Sequence, residues 1–215
     1  MKASYDAIAV DYNTKFYKVD DPLRKEYLGR LVAQLQSNGN DTANVLELGC
    51  GAGVPATKHL LDVEKPLFNI TGNDISTSQL DLARSNLVQY ADRLALVEGD
   101  MLALSFPAAT FDAVTGFYSI IHLPREEQTQ LMSKIAEWLK PGGYFLANFS
   151  IRDLPTLEEE KWLGHEKGWM FWSSWGENKS VEMVENVGLK VSVKEVRQAV
   201  DDTTFVWVLA QKDEA

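Results

Sequence analysis

An apolar run, Val45-Leu46-Glu47-Leu48, passes directly into Gly49-Cys50-Gly51-Ala52-Gly53, a loop with glycine at alternate positions. No other stretch restricts the fold as strongly. Glycine reaches backbone conformations with positive φ and carries no Cβ, so a ligand can approach bare backbone there. The spacing predicts a strand, a tight loop, then a helix. Pro55 suits the first helical turn, where its missing N–H costs nothing. In open α/β sheets, ligands sit beyond the carboxyl ends of the strands, which is where this loop would lie.

The segments that follow keep the same alternation. Residues 67–72 read as a second strand with Asp74 at its end, where a carboxylate can accept two ribose hydroxyls. Ser76-Thr77-Ser78-Gln79 is a capping-box pattern, and Leu80, Ala83, Leu87 and Tyr90 mark one face of the helix behind it. A third strand over 94–98 ends at Gly99-Asp100-Met101, and a fourth over 111–117 leads into Tyr118-Ser119-Ile120-Ile121-His122-Leu123-Pro124. Pro124, Glu126 and Glu127 favour a helical first turn, since acidic groups complement the positive end of the dipole. Leu131, Met132, Ile135, Trp138 and Leu139 supply that helix's buried face, and Lys140-Pro141-Gly142-Gly143 ends it before a fifth strand over 144–149. Ser174-Trp175-Gly176-Glu177 is expected to cap a helix running to Val187, with Gly188 as its stop. Two last strands start at Leu189 and Thr204.

A dinucleotide-binding fingerprint would place its third glycine at position 54, where valine stands. The pattern Glu47-x-Gly49-x-Gly51-x-Gly53 instead resembles motif I of the class I S-adenosylmethionine-dependent methyltransferases. The later motifs, including the segment after the fourth strand and the Leu-Lys-Pro-Gly-Gly turn, follow in that family's order over about residues 44–150. The resemblance implies an α/β fold, a Rossmann-like three-layer sandwich. Its sheet would be seven-stranded and mostly parallel, with an antiparallel edge strand, the last two strands pairing antiparallel at the far edge. It implies S-adenosyl-L-methionine as cofactor and S-adenosyl-L-homocysteine as product. The cofactor residues would be Tyr5, Tyr12, Glu47, Gly49, Cys50, Gly51, Asp74, Ile75, Asp100, Met101 and Phe117, with Asp100 at the adenine amino group and Met101 beside the ring.

Composition narrows the partners. The 215 residues suit one domain spanning 1–215, with an N-terminal lid and helix over 1–37 and an aromatic-rich substrate cap over 150–175. After Pro22, Leu23, Tyr27, Leu31 and Leu35 carry the helical period. A formal net charge of −10 disfavours nucleic acid, whose binding needs a basic surface. No apolar stretch is long enough to span a bilayer and no leader pattern opens the chain, so a cytoplasmic monomer or homodimer acting on a small molecule is expected. The single cysteine, Cys50, excludes an internal disulfide, and no His, Asp or Glu grouping has metal-ligand spacing.

His122 is the general-base candidate, because it follows the fourth strand and imidazole titrates near neutrality. Hydrogen bonding to backbone at the helix entrance is the other reading of it. Tyr5 and Tyr12 resemble aromatic residues of the lid that precedes the core in small-molecule members. There they would attract the sulfonium by cation–π contact, Tyr12 beside the reacting centre, or simply pack the lid on the sheet. Tyr17, Tyr118, His122, Asn148, Trp169 and Trp172 are the acceptor-site candidates, set against a hydrophobic cap or a dimer contact for the tryptophans. Glu158-Glu159-Glu160 reads as an exposed helix face. Three functions stay open: methyl transfer to O, N or S of a small, perhaps aromatic or amine-containing metabolite, an NAD-dependent oxidoreductase, and a non-catalytic cofactor-binding regulator.

Overall fold

A computed structural model describes residues 1–16, 21–199 and 203–214. Seven strands form one sheet: β1 (Thr42–Leu48), β2 (Leu67–Asp74), β3 (Leu94–Glu98), β4 (Phe111–Gly116), β5 (Leu139–Ser150), β8 (Leu189–Gln198) and β9 (Thr204–Lys212). Two further strands, β6 (Asp153–Glu159) and β7 (Met170–Trp175), make a separate antiparallel hairpin. The order in the large sheet is β3-β2-β1-β4-β5-β9-β8. Strands β1 to β5 are parallel, whereas β9 runs antiparallel to both neighbours, one position in from the edge strand β8. Among the described residues the α-helices are α1 (Lys2–Phe16), α2 (Pro22–Ser37), α3 (Ala56–Leu61), α4 (Thr77–Asn86), α5 (Arg125–Trp138) and α6 (Glu177–Glu185).

Alternation along the strands sorts the core into two layers. Leu46, Leu48, Val114, Phe145 and Phe149 face α5 and α6, which contribute Leu131, Ile135, Trp138 and Val184. Val45, Phe68, Ile70, Leu146 and Trp207 face the other way, onto Tyr27, Leu28 and Leu31 of α2 and Leu60 of α3. A central strand covered on both sides must be apolar on both faces, which accounts for the unbroken Val45-Leu46 and Phe145-Leu146 runs. The expected Leu23-Tyr27-Leu31-Leu35 stripe is the inner side of α2, and Tyr27 stacks on Trp207 with ring centroids 4.4 Å apart. Burial of these side chains is the main stabilising term, about 1.5–3 kcal/mol for each large apolar group.

Three local expectations need correction. Glu158 and Glu159 lie on strand β6, with Glu158 in register with Phe171, so the acidic run is a hairpin edge rather than a helix face. Ser174 does not cap α6: it belongs to β7, its hydroxyl donates to Ser150 O at 2.9 Å, and Gly176, with φ of 80°, precedes the helix instead. Ser76 caps α4 by accepting from Gln79 N at 3.2 Å, but the Gln79 side chain makes no return bond and accepts from Asn13 of α1 at 2.9 Å. A tertiary partner has displaced the second half of the capping box. No helix among the described residues is long and apolar enough to cross a membrane.

Candidate active site

β1 has β2 on one side and β4 on the other, so the connections leaving β1 and β4 diverge and open a crevice beyond the strand ends. The glycine loop forms its floor. Gly49 has φ of 72°, and a Cβ there would stand 2.4 Å from the Ser119 Cβ, so only glycine lets the loop approach the segment after β4. Ser119 reinforces that contact by donating to Leu48 O at 2.6 Å. Gly49 N and Cys50 N both donate to Asn73 O, at 2.8 and 2.9 Å, tying the loop to the end of β2.

Asp74 organises the crevice. One carboxylate oxygen accepts from Gly51 N at 2.8 Å and the other from Ser76 N at 2.9 Å, so it joins the loop to the start of α4. Burial raises its pKa, and these backbone donors oppose the rise. A carboxylate has about four acceptor sites, so lone pairs remain for a ligand's hydroxyls. Asp100 accepts from Leu102 N at 2.9 Å and Met101 opens a short 3-10 turn beside it.

The cavity is lined by Tyr5, Tyr12, Gly49, Gly51, Asp74, Ile75, Asp100, Met101 and Phe117 of the expected cofactor set, and by Tyr118 and His122 of the expected acceptor set. Glu47 and Cys50 lie outside it. Glu47 is buried and accepts from Thr57 of α3 at 2.6 Å, bracing the helix behind the loop rather than the loop's amides. Burial, only partly offset by the Thr57 bond, lifts its carboxyl to about 7. The Cys50 thiol is buried near Gly72, where a Cβ would come within 3.0 Å of Sγ, and burial pushes its pKa well up. It stays a neutral packing group.

Asn148 is buried beneath the cavity, and its side-chain oxygen accepts from Tyr118 N at 2.7 Å. That bond holds Tyr118 in the left-handed conformation, φ 57°, at the end of β4. Trp169 sits 38% exposed and donates to Glu158 at 3.2 Å, on the outer side of the hairpin and away from the cavity. Tyr17 lies outside the described residues.

Helix α1 covers the crevice. Asp6 accepts from Ser76 Oγ at 2.7 Å and Ser78 N at 3.1 Å, and Lys2 donates to Glu98 at 2.9 Å. With α1 laid across it, the cavity holds about 120 Å³. His122 stands under the lid with both ring nitrogens engaged. Its Nδ1 is 2.8 Å from Phe171 O and its Nε2 is 3.0 Å from the Tyr5 hydroxyl. A carbonyl only accepts, so Nδ1 carries the proton and Nε2 accepts from Tyr5. Burial lowers the His122 pKa to about 4, against the opposing Phe171 bond, so the ring is neutral near pH 7.

Trp162, in the connection between β6 and β7, closes the arrangement. Its ring lies 5.8 Å from Tyr12, 5.9 Å from Phe16 and nearly parallel to it, and 5.7 Å from Trp172, which is itself 5.8 Å from His122. The lid and the hairpin therefore meet through one aromatic cluster above the imidazole. Trp162 packs on the lid without lining the cavity, whereas Ser119 and Gln79, which no local pattern marks as site residues, do line it. The composition of 162–175 signals aromatic density; which ring turns inward depends on hairpin pairing. Among the described residues no cluster of three or more His, Cys, Asp or Glu is arranged to hold a metal ion.

Residues 45–143 match a family model described as a methyltransferase domain. Sterol 24-C-methyltransferase of Debaryomyces hansenii is 33% identical over 108 residues, covering 49% of this chain and 27% of that protein. The chain spans less than half the length of the sterol methyltransferases it matches first, 27% and 43% for two of them. Among solved structures, the N-methyltransferase NodS from Bradyrhizobium japonicum in complex with S-adenosyl-L-homocysteine superposes with a TM-score of 0.71 at 19% identity, covering 100% of both chains. The [4+2]-cyclase SpnF gives 0.75 at 16% identity, covering 100% of this chain and 95% of that one. Residues 45–143 are thus similar to a methyltransferase domain, and the chain has the fold of these solved structures.

Proposed function

We propose that this chain transfers a methyl group from S-adenosyl-L-methionine to O, N or S of a small metabolite, with an aromatic ring or an amine in that acceptor. One observation supports the reading most: a glycine-floored crevice at the switch point of the sheet adjoins a neutral imidazole whose Nε2 lone pair, engaged by the Tyr5 hydroxyl, faces the same cavity. When bound, the cofactor supplies an electrophilic methyl carbon on a sulfonium. Asp74 accepts the ribose hydroxyls, while Asp100, Ile75 and Met101 frame the adenine. Phe117 closes the inner wall, and Tyr5 and Tyr12 turn their ring faces and hydroxyls to the methionyl end, where cation–π attraction favours the charge.

The acceptor's protic group takes the position at His122 Nε2 that the Tyr5 hydroxyl holds in this structure. His122 removes or holds that proton, and the Phe171 carbonyl keeps the imidazole in the reactive tautomer. Tyr118, placed by Asn148, and Trp172 with Trp162 form the wall that orients the acceptor and excludes water. Such positioning supplies much of the acceleration in an in-line displacement, through avoided orientational cost. Residues 1–37 act as a lid and 150–175 as a cap on a single 1–215 domain. A small-molecule site is usually about 300–1,000 Å³, so α1 lifts to admit both ligands. The acidic charge fits a small-molecule rather than nucleic-acid partner, and a cytoplasmic setting agrees with it.

Incubation with methyl-labelled S-adenosylmethionine and a panel of phenols, amines and thiols, read by mass spectrometry, tests the proposal. Labelled product from at least one class supports it. Tight S-adenosylhomocysteine binding without turnover across the panel indicates a regulator, and preferential NADH binding indicates an oxidoreductase.

A further inference from the structure

Two groups hold the His122 ring, and only one of them can choose its tautomer. The Tyr5 hydroxyl at Nε2 either donates or accepts, so it adapts to whatever that nitrogen presents. The Phe171 carbonyl at Nδ1 only accepts. The proton stays on Nδ1 only while that carbonyl stays within reach, so whatever anchors β7 beside the 3-10 turn Ile120–His122 governs the imidazole.

The hairpin's own ladder is irregular at this point. Trp172 faces Leu157 and Ser174 faces Leu154, and the register passes over Ser173 between them. Gln128 of α5 takes over there. Its side chain is buried, and Nε2 lies 2.9 Å from Leu123 O, 3.0 Å from Ser173 O and 3.0 Å from Ser173 Oγ, while Ser173 Oγ donates to Leu123 O at 2.6 Å. Leu123 follows His122 directly, and Ser173 stands two residues after Phe171, where strand carbonyls share an edge. The amide thus joins the two backbones whose separation sets the 2.8 Å contact at Nδ1. Its orientation is fixed, because reversing it would bring Oε1 against two carbonyl oxygens. That orientation leaves Oε1 buried without a hydrogen-bond partner. Gln128 shares the buried face of α5 with Leu131, Met132 and Ile135, and an apolar side chain there would pack without this cost. The unpaired oxygen therefore marks a position where the two amide donors are needed.

We infer that Gln128 is a positioning residue for His122: its side-chain amide clamps Leu123 to Ser173, and so keeps the Phe171 carbonyl on Nδ1 and the Nε2 lone pair turned into the cavity. The inference rests on the proposal that His122 serves the acceptor's proton. Gln128 itself does not line the cavity, and it acts only through the imidazole.

Long-range proton–nitrogen NMR on protein carrying isotope-labelled histidine reads the tautomer directly near pH 7, where the ring is neutral, with the His122 signals assigned by their loss in His122→Gln. The unaltered protein should show the proton on Nδ1. In Gln128→Met, of similar volume but without donors, the ring should become a mixture of both tautomers. Turnover with an identified acceptor should fall about ten- to hundredfold there, while cofactor affinity stays within about twofold. Gln128→Asn, whose shorter stem cannot span both carbonyls, should behave in the same way and carries the test if the methionine variant does not fold. Arg125→Met removes a different tie to β7, at Ser174 O, and should leave the proton on Nδ1. A Gln128 variant that is folded by far-ultraviolet dichroism and keeps the Nδ1 tautomer overturns the inference. So does an Arg125→Met variant that loses this tautomer to the same extent, since general loosening of the hairpin would then suffice. Absence of methyl transfer by the unaltered protein would remove the parent proposal, and the tautomer readout, which needs no acceptor, would still decide this one.

Discussion

The two halves of the cavity are built on opposite principles. The half assigned to the adenosyl group is made of backbone and strand-end carboxylates: Gly49, Gly51, Asp74 and the Asn73 carbonyl, all anchored to a seven-stranded sheet. The half assigned to the acceptor is lined by Tyr5 and Tyr12 of α1 with Tyr118 and His122, and Trp162 and Trp172 of the β6–β7 hairpin pack behind these rings without lining the cavity. The first half has one solution because atoms are fixed by strand hydrogen bonds. The second can be refilled with other side chains without touching the sheet, and SpnF, a cyclase by name, shares this fold at a TM-score of 0.75. Fold therefore constrains the cofactor half and leaves the acceptor half to side-chain chemistry.

The sharpest way to break this division is at the loop. Gly49→Val places a branched Cβ into Ser119 at a positive φ, and should abolish measurable S-adenosylhomocysteine binding while costing at least about 2–4 kcal/mol of stability in denaturant titration. A variant that still binds tightly would mean that the loop is not the floor of the site.

His122→Gln should reduce turnover with an identified acceptor by about 10²–10⁴-fold, the usual contribution of a positioned base, with cofactor affinity changed little. The pH profile adds a second check. The neutral ring is the active form and its pKa is lowered to about 4, so the His122-dependent rate should be flat from pH 8 down to about 6 and fall only as pH approaches 4. An inflection near pH 6.5 would indicate a solvated imidazole and contradict the enclosed geometry.

Asp74→Ala should lower S-adenosylhomocysteine affinity by about 1–3 kcal/mol, the value of lost charged hydrogen bonds, and calorimetry reads it directly. Because Asp74 also ties Gly51 to Ser76, Asp74→Asn should recover part of the structural effect but less of the affinity. Trp162→Ala addresses the other half: acceptor KM should rise about tenfold while cofactor affinity stays within twofold, since each aromatic pair is worth about 0.5–1.5 kcal/mol. Equal effects on both ligands would dissolve the distinction between the halves.

The smallest effect concerns stability alone. Glu47 is held neutral by burial, with its carboxyl raised to about 7. Folding is therefore undisturbed by this group below about pH 4.5, and destabilised progressively as pH rises through 7, where the folded state must ionise a buried acid. Glu47→Gln should raise stability at pH 8 by about 1–2 kcal/mol relative to its effect at pH 5, measured by urea unfolding at both values.

Legibility followed the range of the interactions involved. The β1 strand and its glycine loop could be read because chain direction, positive φ and the absent Cβ are properties of neighbouring residues, and Asp74 could be read because it ends the next strand. Elements whose state depends on a distant partner could not. Glu158-Glu159 carries no strand signal of its own and is extended because Phe171 and Met170 pair with it. Ser174 has the chemistry of a cap but is held in β7 by Ser150. Gln79 has the spacing of a capping box but reaches Asn13.

The amino-acid sequence by itself determined the α/β layering and the position of the crevice, because these follow from hydrophobic period and backbone geometry; the family resemblance supplied the cofactor set, nine of whose members line the cavity. Tertiary structure decided the rest. It turned Glu47 and Cys50 away from the cavity, put Asn148 beneath Tyr118, packed Trp162 against Tyr12 and Phe16 of the lid, left Trp169 on the outer side, and fixed the tautomer of His122 through a carbonyl 49 residues away. Side-chain direction in the lid and hairpin is set by packing between elements far apart in the chain, and local residue preferences carry no record of it.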